Sequence, residues 1–369
     1  MILTNCAACA APLAHTAPRC VRCWTRYCDS TCQHDHWRRG HKQICKKIHR
    51  GGNAEQYNAD KKYKEAVAEA VEACAADTKG QTCYICTQAL HWKTKEGLVR
   101  GCACRGTAGF AHVSCLAEQA KILVAEGEEN NLSDKVMNER WLRWSDCSLC
   151  KQRHHGVVAC ALAWACWKTY VGRPETDEAR KLAMGLLGNG LFDGKHYEDA
   201  LSVREAGLSM LRRVGVSEER ILVTKSCLAI TYAELGHLEK ALSMERDIYF
   251  GRLKLDGRDN QETLRAANNY ALSLVRLQRF EEARSLLPKT IPVARRVLGE
   301  GHRLTLKMRW NYAQALYKDV DATLDDLREA VATLTDTERI SRRVLGGAHP
   351  LTVGIEDALE VLRAAFHAP

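Results

Sequence analysis

The sequence predicts a mainly α protein: two small N-terminal binuclear modules of metal-ligating residues, then an α-solenoid of helix-turn-helix repeats. Two observations lead there. Of 18 cysteines, fourteen fall in CxxC or comparably close clusters before residue 151, interleaved with histidines, and only Cys227 lies beyond Cys166. From about residue 180 that signature stops and a pattern recurs every 41–42 residues. The chain of 369 residues has room for two or three domains, and 46% hydrophobic with 27% charged content is ordinary for a globular protein. The divisions that follow are a metal module at 1–50, a helical linker at 51–80, a second metal module at 81–153, a connecting helix at 154–178 and repeats over 179–369.

Cysteine usage also bounds the compartment. A disulfide framework implies export, yet the start MILTNCAACAAPLA has no basic segment and only a token apolar run. Clustered Cys with interspersed His therefore reads as metal binding in a reducing compartment, cytoplasm or nucleus, in a protein that is not secreted. The longest apolar run, VVACALAWACW (157–167), is followed by Lys168 and falls short of the roughly 18–20 residues a bilayer needs. It reads as a buried helix, with Cys160 and Cys166 as small hydrophobes; no membrane is expected, and the Asn131-Leu132-Ser133 sequon carries little meaning without secretion.

In the first cluster the candidate ligands are Cys6-x2-Cys9, Cys20-x2-Cys23, Cys28-x3-Cys32 and His41-x3-Cys45. Eight ligands make two tetrahedral sites with no open position, the mark of structural rather than catalytic zinc. So short a segment buries little apolar surface, so metal must supply its folding free energy. His34 and His36 lie outside the repeated spacing and read as surface side chains. With Tyr27-Cys28, Cys32-Gln33, Trp37 and His41-Lys42-x2-Cys45, residues 6–45 resemble the MYND-type zinc finger. That resemblance implies interleaved sites, Cys6, Cys9, Cys28 and Cys32 on one zinc and Cys20, Cys23, His41 and Cys45 on the other. It further implies a module that takes short proline-containing peptides, with Gln33, Trp37 and the neighbouring arginines as the exposed face.

A Gly-Gly break and an Ala/Glu/Lys-rich helix follow, with Cys74 away from any partner spacing. The second cluster then has Cys83-x2-Cys86, Cys102-x-Cys104, His112-x2-Cys115 and Cys147-x2-Cys150, again two closed sites. The C4HC3 order, the single residue between Cys102 and Cys104, the seven residues before His112 and the Cys115-Leu116 step resemble the RING-CH (RING-variant) finger over 83–150; a PHD finger shares the order but not those spacings. The resemblance implies a cross-brace, Cys83, Cys86, His112 and Cys115 on one zinc and Cys102, Cys104, Cys147 and Cys150 on the other. It also implies a ubiquitin ligase that works by positioning a charged conjugating enzyme, with no covalent catalytic residue. Ile85 would be the apolar contact to that enzyme and Lys151 the cation after the last cysteine, against the plainer readings of packing and solvation. Two departures stand out. Gln119 occupies the region where the family usually has tryptophan, and the long Cys115–Cys147 gap reads as two helices, roughly 114–126 and 133–145, with Trp141 and Trp144 read as core.

The repeats show Tyr197-Glu-Asp-Ala200, Leu238-Glu-Lys-Ala241 and Phe280-Glu-Glu-Ala283, with Ala229, Ala271 and Ala313 each 42 apart. LDGRDNQETL (255–264), LGEGHRLTL (298–306) and LGGAHPLTV (345–353) form a third marker. Small residues at fixed places let paired helices approach while Leu and aromatic positions fill the core between repeats. These residues resemble tetratricopeptide repeats of the kinesin-light-chain type. DVDATLDD (319–326) adds five residues between the helices of the fourth unit, and IEDALEVLRAAF reads as a half-repeat cap. The resemblance implies a peptide groove with Asn268, Asn269 and Asn311, and Arg265 beside them; the alternative is that the amides only bridge adjacent helices.

Four zinc ions per chain are thus expected. Fourteen thiolates on four divalent ions lower the formal charge of +9 to about +3, so nucleic acid is a weak expectation although nine Lys/Arg face two Asp in residues 1–50. Neither the HxE nor the PCxxC of zinc deaminases is present. Two readings stay open: a RING-type ubiquitin transferase whose MYND and repeat modules recruit protein substrates, and a non-enzymatic scaffold that binds peptides through the same modules.

Overall fold

Residues 5–50 have no run of apolar periodicity, and what they fold around is their own cysteines. The computed structural model of the protein describes residues 5–11, 13 and 16–367. Helix α1 (Ser30–His36) starts where the Asp29 carboxylate accepts from the Cys32 N–H at 2.8 Å. It continues through a π-helical turn (Trp37–His41), opened by Gly40 at φ 129°, into α2 (Lys42–Arg50). The buried cluster here is Cys6, Cys20, Cys23, Tyr27, Cys45, Ile48 and Ala54. Asn53 caps α3 (Ala54–Ala73), whose Ala59, Tyr63, Ala66, Val67 and Ala70 recur at helical spacing and are buried. A short α4 (Ala75–Thr78) follows.

The second cysteine region carries α5 (Val113–Glu129) and α6 (Asp134–Trp141), the latter running into a 3-10 turn (Leu142–Trp144). Trp144 is fully buried and edge-on to Tyr170 at 5.8 Å between ring centroids. That tyrosine ends α7 (Gly156–Tyr170), which is buried nearly all round because α3, α5 and α8 (Glu178–Asp193) pack against it. Helix α9 (Tyr197–Val214) completes a compact unit of residues 1–216. Among the described residues there are no named strands, only isolated bridges such as Val99–Ala111, and no helix is long and apolar enough to cross a membrane.

The second compact unit, residues 217–369, holds α10 (Glu218–Glu234), α11 (Leu238–Asp256), α12 (Gln261–Arg276), α13 (Phe280–Leu298), α14 (Arg303–Tyr317), α15 (Leu324–Leu345) and α16 (Pro350–His367). Its repeat markers have structural causes. Ala229, Ala241, Ala271, Ala283 and Ala313 are fully buried where neighbouring helices meet. The Gly of each link, Gly257, Gly299 and Gly346, takes positive φ of 78–94° and ends a helix. Three residues later in each link a side chain caps the next helix: Asn260 accepts from Glu262 N–H at 2.7 Å, His302 from Leu304 N–H at 3.2 Å, and His349 from Leu351 N–H at 3.1 Å. The five added residues of the fourth unit end in a capping box between Thr323 and Asp326, and Arg284 of α13 ties down Asp319 at 2.7 Å.

One buried acid departs from this apolar plan. Glu245 on α11 is 7% exposed and accepts a hydrogen bond from Ser273 of α12. Burial pushes its carboxyl from 4.5 up to about 7, with the Ser273 bond and Arg276 opposing. The folded state then holds a proton that the unfolded chain has released, so stability falls as pH rises from about 4.5 through about 7. Glu245→Gln keeps the acceptor and removes the charge. It is expected to stabilise residues 217–362 at pH 8 by about 2 kcal/mol and to have almost no effect at pH 4.5, read by hydrogen-exchange protection of α11 and α12 at both pH values.

Candidate metal centres

The structure draws the sixteen sequence-selected ligands into four groups, in the pairing the two resemblances imply. They are Cys6, Cys9, Cys28 and Cys32; Cys20, Cys23, His41 and Cys45; Cys83, Cys86, His112 and Cys115; and Cys102, Cys104, Cys147 and Cys150, each with its ligand atoms within 4.8 Å of one another. Individual edges are the useful test. Cys9–Cys28 is 3.5 Å, Cys20–Cys45 3.7 Å, Cys104–Cys147 3.8 Å, and Cys86 Sγ to His112 Nδ1 3.3 Å. A tetrahedral ion with sulfur at about 2.3 Å has edges of about 3.8 Å, so the donor sets fit closed centres, two of four sulfurs and two of three sulfurs with one imidazole nitrogen. Soft thiolates in tetrahedral array suit zinc among the common divalent ions.

Local backbone explains why the CxxC pairs are ready to bind. In four of them the residue after the second cysteine is left-handed: Ala10, Trp24, Thr87 and Lys151 have φ of 59–62°. Its N–H returns to the first cysteine's carbonyl at 2.8–3.0 Å, as in Thr87 to Cys83 and Lys151 to Cys147. Backbone N–H groups then turn toward sulfur: Ala8 to Cys6 Sγ and Ile85 to Cys83 Sγ, both 3.4 Å. Such donors favour the thiolate, and the Gln152 backbone brings the Cys150 thiol down to about 7.

The histidines are oriented as neutral ligands. His112 offers Nδ1 to its cysteines, and its Nε2–H donates to the Ala89 carbonyl at 3.4 Å. His41 offers Nε2, 3.4 Å from Cys23 Sγ. Burial holds both rings below the usual histidine value, leaving a lone pair free for a metal at neutral pH. Gly109 must be glycine: at φ 84°, a Cβ there would lie 2.6 Å from Cys104 Cβ.

Two features escaped the sequence reading. His36 is half-buried rather than on the surface: its Nδ1 meets the Tyr27 hydroxyl at 3.0 Å and its ring stacks on His41 at 4.8 Å. The stretch His91-Trp-Lys-Thr94 repeats the knuckle with a side-chain hydrogen bond in place of a ligand pair. Lys95, at φ 59°, donates to the His91 carbonyl at 2.9 Å, and the Thr94 hydroxyl and His91 Nδ1 lie 2.9 Å apart across the gap that an ion would span in the CxxC knuckles. The signal for it is an x2 spacing between His91 and Thr94, with His in the place of Cys; its exposed large apolar member is Trp92.

The other selected residues divide. Ile85 is half-buried, and Lys151 is exposed with its Nζ donating to the Ser148 carbonyl at 2.6 Å. Tyr84 bonds Ser148 at 2.9 Å, which holds the Cys83–Cys86 and Cys147–Cys150 knuckles side by side and brings in the exposed Leu149. In the repeats, Asn311 Nδ2 donates to Asn268 Oδ1 at 3.1 Å and both are buried, so these two bridge α14 and α12. Asn269 is half-buried and Arg265 exposed, both lining a cavity of about 280 Å³ among α10, α11 and α12.

Comparison with known proteins places two of these regions. Residues 83–131 match the RING-variant domain, a match that ends before Cys147, and residues 262–322 match a tetratricopeptide repeat. The protein thus combines a RING-variant domain with tetratricopeptide repeats, a class built to bind other proteins. Among solved structures, the TPR-like repeats of a Podosopora anserina kinesin-light-chain protein share 14% identity over 63% of this chain and 97% of that one, with a TM-score of 0.44. BtubC (BKLC) from P. vanneervenii shares 14% identity over 70% of this chain and 93% of its own, with a TM-score of 0.38. No curated protein matches the sequence.

Proposed function

We propose that the protein is a zinc-dependent, RING-type ubiquitin ligase, in which a MYND-type finger and the tetratricopeptide repeats recruit the protein to be modified. The observation that carries this reading is the pair of joined knuckles. Tyr84 and Ser148 hold side by side the two knuckles that carry the half-buried Ile85 and the exposed Leu149, the residues on which a conjugating enzyme would sit. Zinc bound by Cys83, Cys86, His112, Cys115 and by Cys102, Cys104, Cys147, Cys150 would supply rigidity only, since all four positions at each ion are protein ligands. The chain's own part is to hold the thioester of the charged enzyme in an attack-ready geometry. At the other finger, Trp37 at 39% exposure with Arg38 and Arg39 beside it offers an aromatic and basic face for a short proline-containing peptide. Asn269 and Arg265 are the groups that would meet a peptide on the repeats. The reduced thiols these sites require fit the cytoplasm or nucleus.

A second reading, a scaffold without ligase activity, is favoured by Lys151, whose Nζ is engaged by its own loop, and by Gln119 on α5 where the resembled family has tryptophan. Single-turnover discharge of ubiquitin from a broad panel of charged conjugating enzymes separates the two. The ligase reading predicts at least one enzyme accelerated by the full chain, and Ile85→Ala lowering that rate by about tenfold or more with metal content unchanged. No acceleration across the panel leaves the scaffold.

A further inference from the structure

The buried carboxylate of Glu245 borders the cavity shared by α10, α11 and α12. The cavity, at about 280 Å³, lies at the lower edge of the range for whole small-molecule sites. It suits a single side chain. Its walls are apolar, with Leu222 and Ile230 from α10, Ile248 from α11 and Ala266 from α12. The other charges at the cavity have partners of their own: Arg252 is held by Asp256 at 2.9 Å and Arg265 by Glu262 at 3.2 Å. Arg276, on α12 beyond Ser273, is exposed and acts on Glu245 only at range. Among the described residues, the hydrogen-bond donor seen at Glu245 is the neutral Ser273 hydroxyl. A carboxylate so placed is short of charge compensation, and an incoming cation supplies it in a setting where charge-assisted hydrogen bonds are strong.

We infer that this cavity is an anchor pocket for one basic side chain of a partner peptide, its aliphatic stem against Leu222, Ile230, Ile248 and Ala266 and its cationic head on Glu245. The inference rests on the reading of the repeats as peptide-binding and adds the chemistry of the residue they select. Lysine is the best fit, since a slim four-carbon stem fills an apolar shaft and a point charge needs no planar fork at its end. Binding would also ionise Glu245, whose burial otherwise favours the protonated form, so complex formation releases a proton near neutral pH.

The test uses the zinc-loaded full chain and an immobilised array of random ten-residue peptides. Binders are selected whose affinity, measured by fluorescence anisotropy, falls with Asn269→Asp. Each of their lysines is then replaced in turn by norleucine, which keeps the stem and removes the charge. The expected result is one lysine whose replacement weakens binding about tenfold against the natural chain and less than twofold against Glu245→Gln. Glu245→Gln keeps the acceptor for Ser273, so it leaves the helices in place, and circular dichroism with unchanged helix content and melting no lower than that of the natural chain verifies that. Groove binders with no such lysine, or an equal norleucine penalty in Glu245→Gln, overturn the anchor pocket while leaving the peptide groove standing. An array with no binder sensitive to Asn269→Asp overturns both.

Discussion

Replacing Cys45 with serine is expected to unfold residues 5–50 and so to release both metal ions of the first module, two of the four, while α10–α16 stay folded. The reason lies in what fills the first module. Of its seven buried cluster residues, Cys6, Cys20, Cys23 and Cys45 are themselves ligands, and only Tyr27, Ile48 and Ala54 add other apolar surface. Three such side chains contribute a few kcal/mol at most, against the conformational entropy of some forty ordered residues. Metal binding worth about 10–16 kcal/mol is the term of the right size. Losing one of four ligands in the fully buried Cys20, Cys23, His41 and Cys45 set leaves three uncompensated donors in a closed space. Elemental analysis should count two ions fewer, and hydrogen exchange should show protection lost in α1 and α2 and kept in α12. Retained protection in α1 and α2 at the lower metal count would mean that the module folds on its own side chains.

Gly190→Val is the second large effect, in a place with no ligand nearby. A Cβ at Gly190 of α8 would stand 2.4 Å from Ala163 Cβ and 2.9 Å from the Ala159 carbonyl of α7. The two helices meet backbone to backbone, and a branched side chain must push them apart. Helix α7 has no free face on which to move, because α3 and α5 pack on its other sides. Its first turn also receives the second metal module: His155 N–H donates to the Gly101 carbonyl at 2.8 Å, and Gly101 lies against Val158. The expected cost is about 3 kcal/mol, read as a lower melting temperature of residues 1–216 together with faster release of metal to a chelator. Gly185 of the same helix, with nothing within 4 Å of a Cβ, is the control: Gly185→Ala should be neutral or mildly stabilising.

How much of this was legible in the sequence depends on the range of the interaction. Ligands announced themselves by local spacing, because a CxxC turn is a six-residue object whose left-handed fifth residue and return hydrogen bond need nothing from elsewhere. The repeat was legible for a similar reason. Ala271 or Thr305 must be small or hydroxyl-bearing wherever the same two helices meet, so the position recurs with the unit. The links carried a motif whose purpose, a side chain capping the next helix, became visible only with the hydrogen bonds of Asn260, His302 and His349. What stayed hidden was made by distant segments meeting. The Tyr27 contact that buries half of His36, the joining of the Cys83–Cys86 and Cys147–Cys150 knuckles by Tyr84 and Ser148, and the close approach at Gly190 have no periodicity of their own. The two asparagines Asn268 and Asn311 show the limit of motif reading most clearly. Their recurrence fits a groove and a bridge equally well, and their mutual hydrogen bond belongs to the bridge.

X-ray absorption at the zinc edge, with elemental analysis of the same sample, tests most directly the claim that four closed metal centres frame the protein. Four zinc ions per chain are expected, with sulfur neighbours at about 2.3 Å, two ions bound by four sulfurs and two by three sulfurs and one imidazole nitrogen. An oxygen ligand from water at any ion, or fewer than four ions in the fully loaded chain, would contradict it.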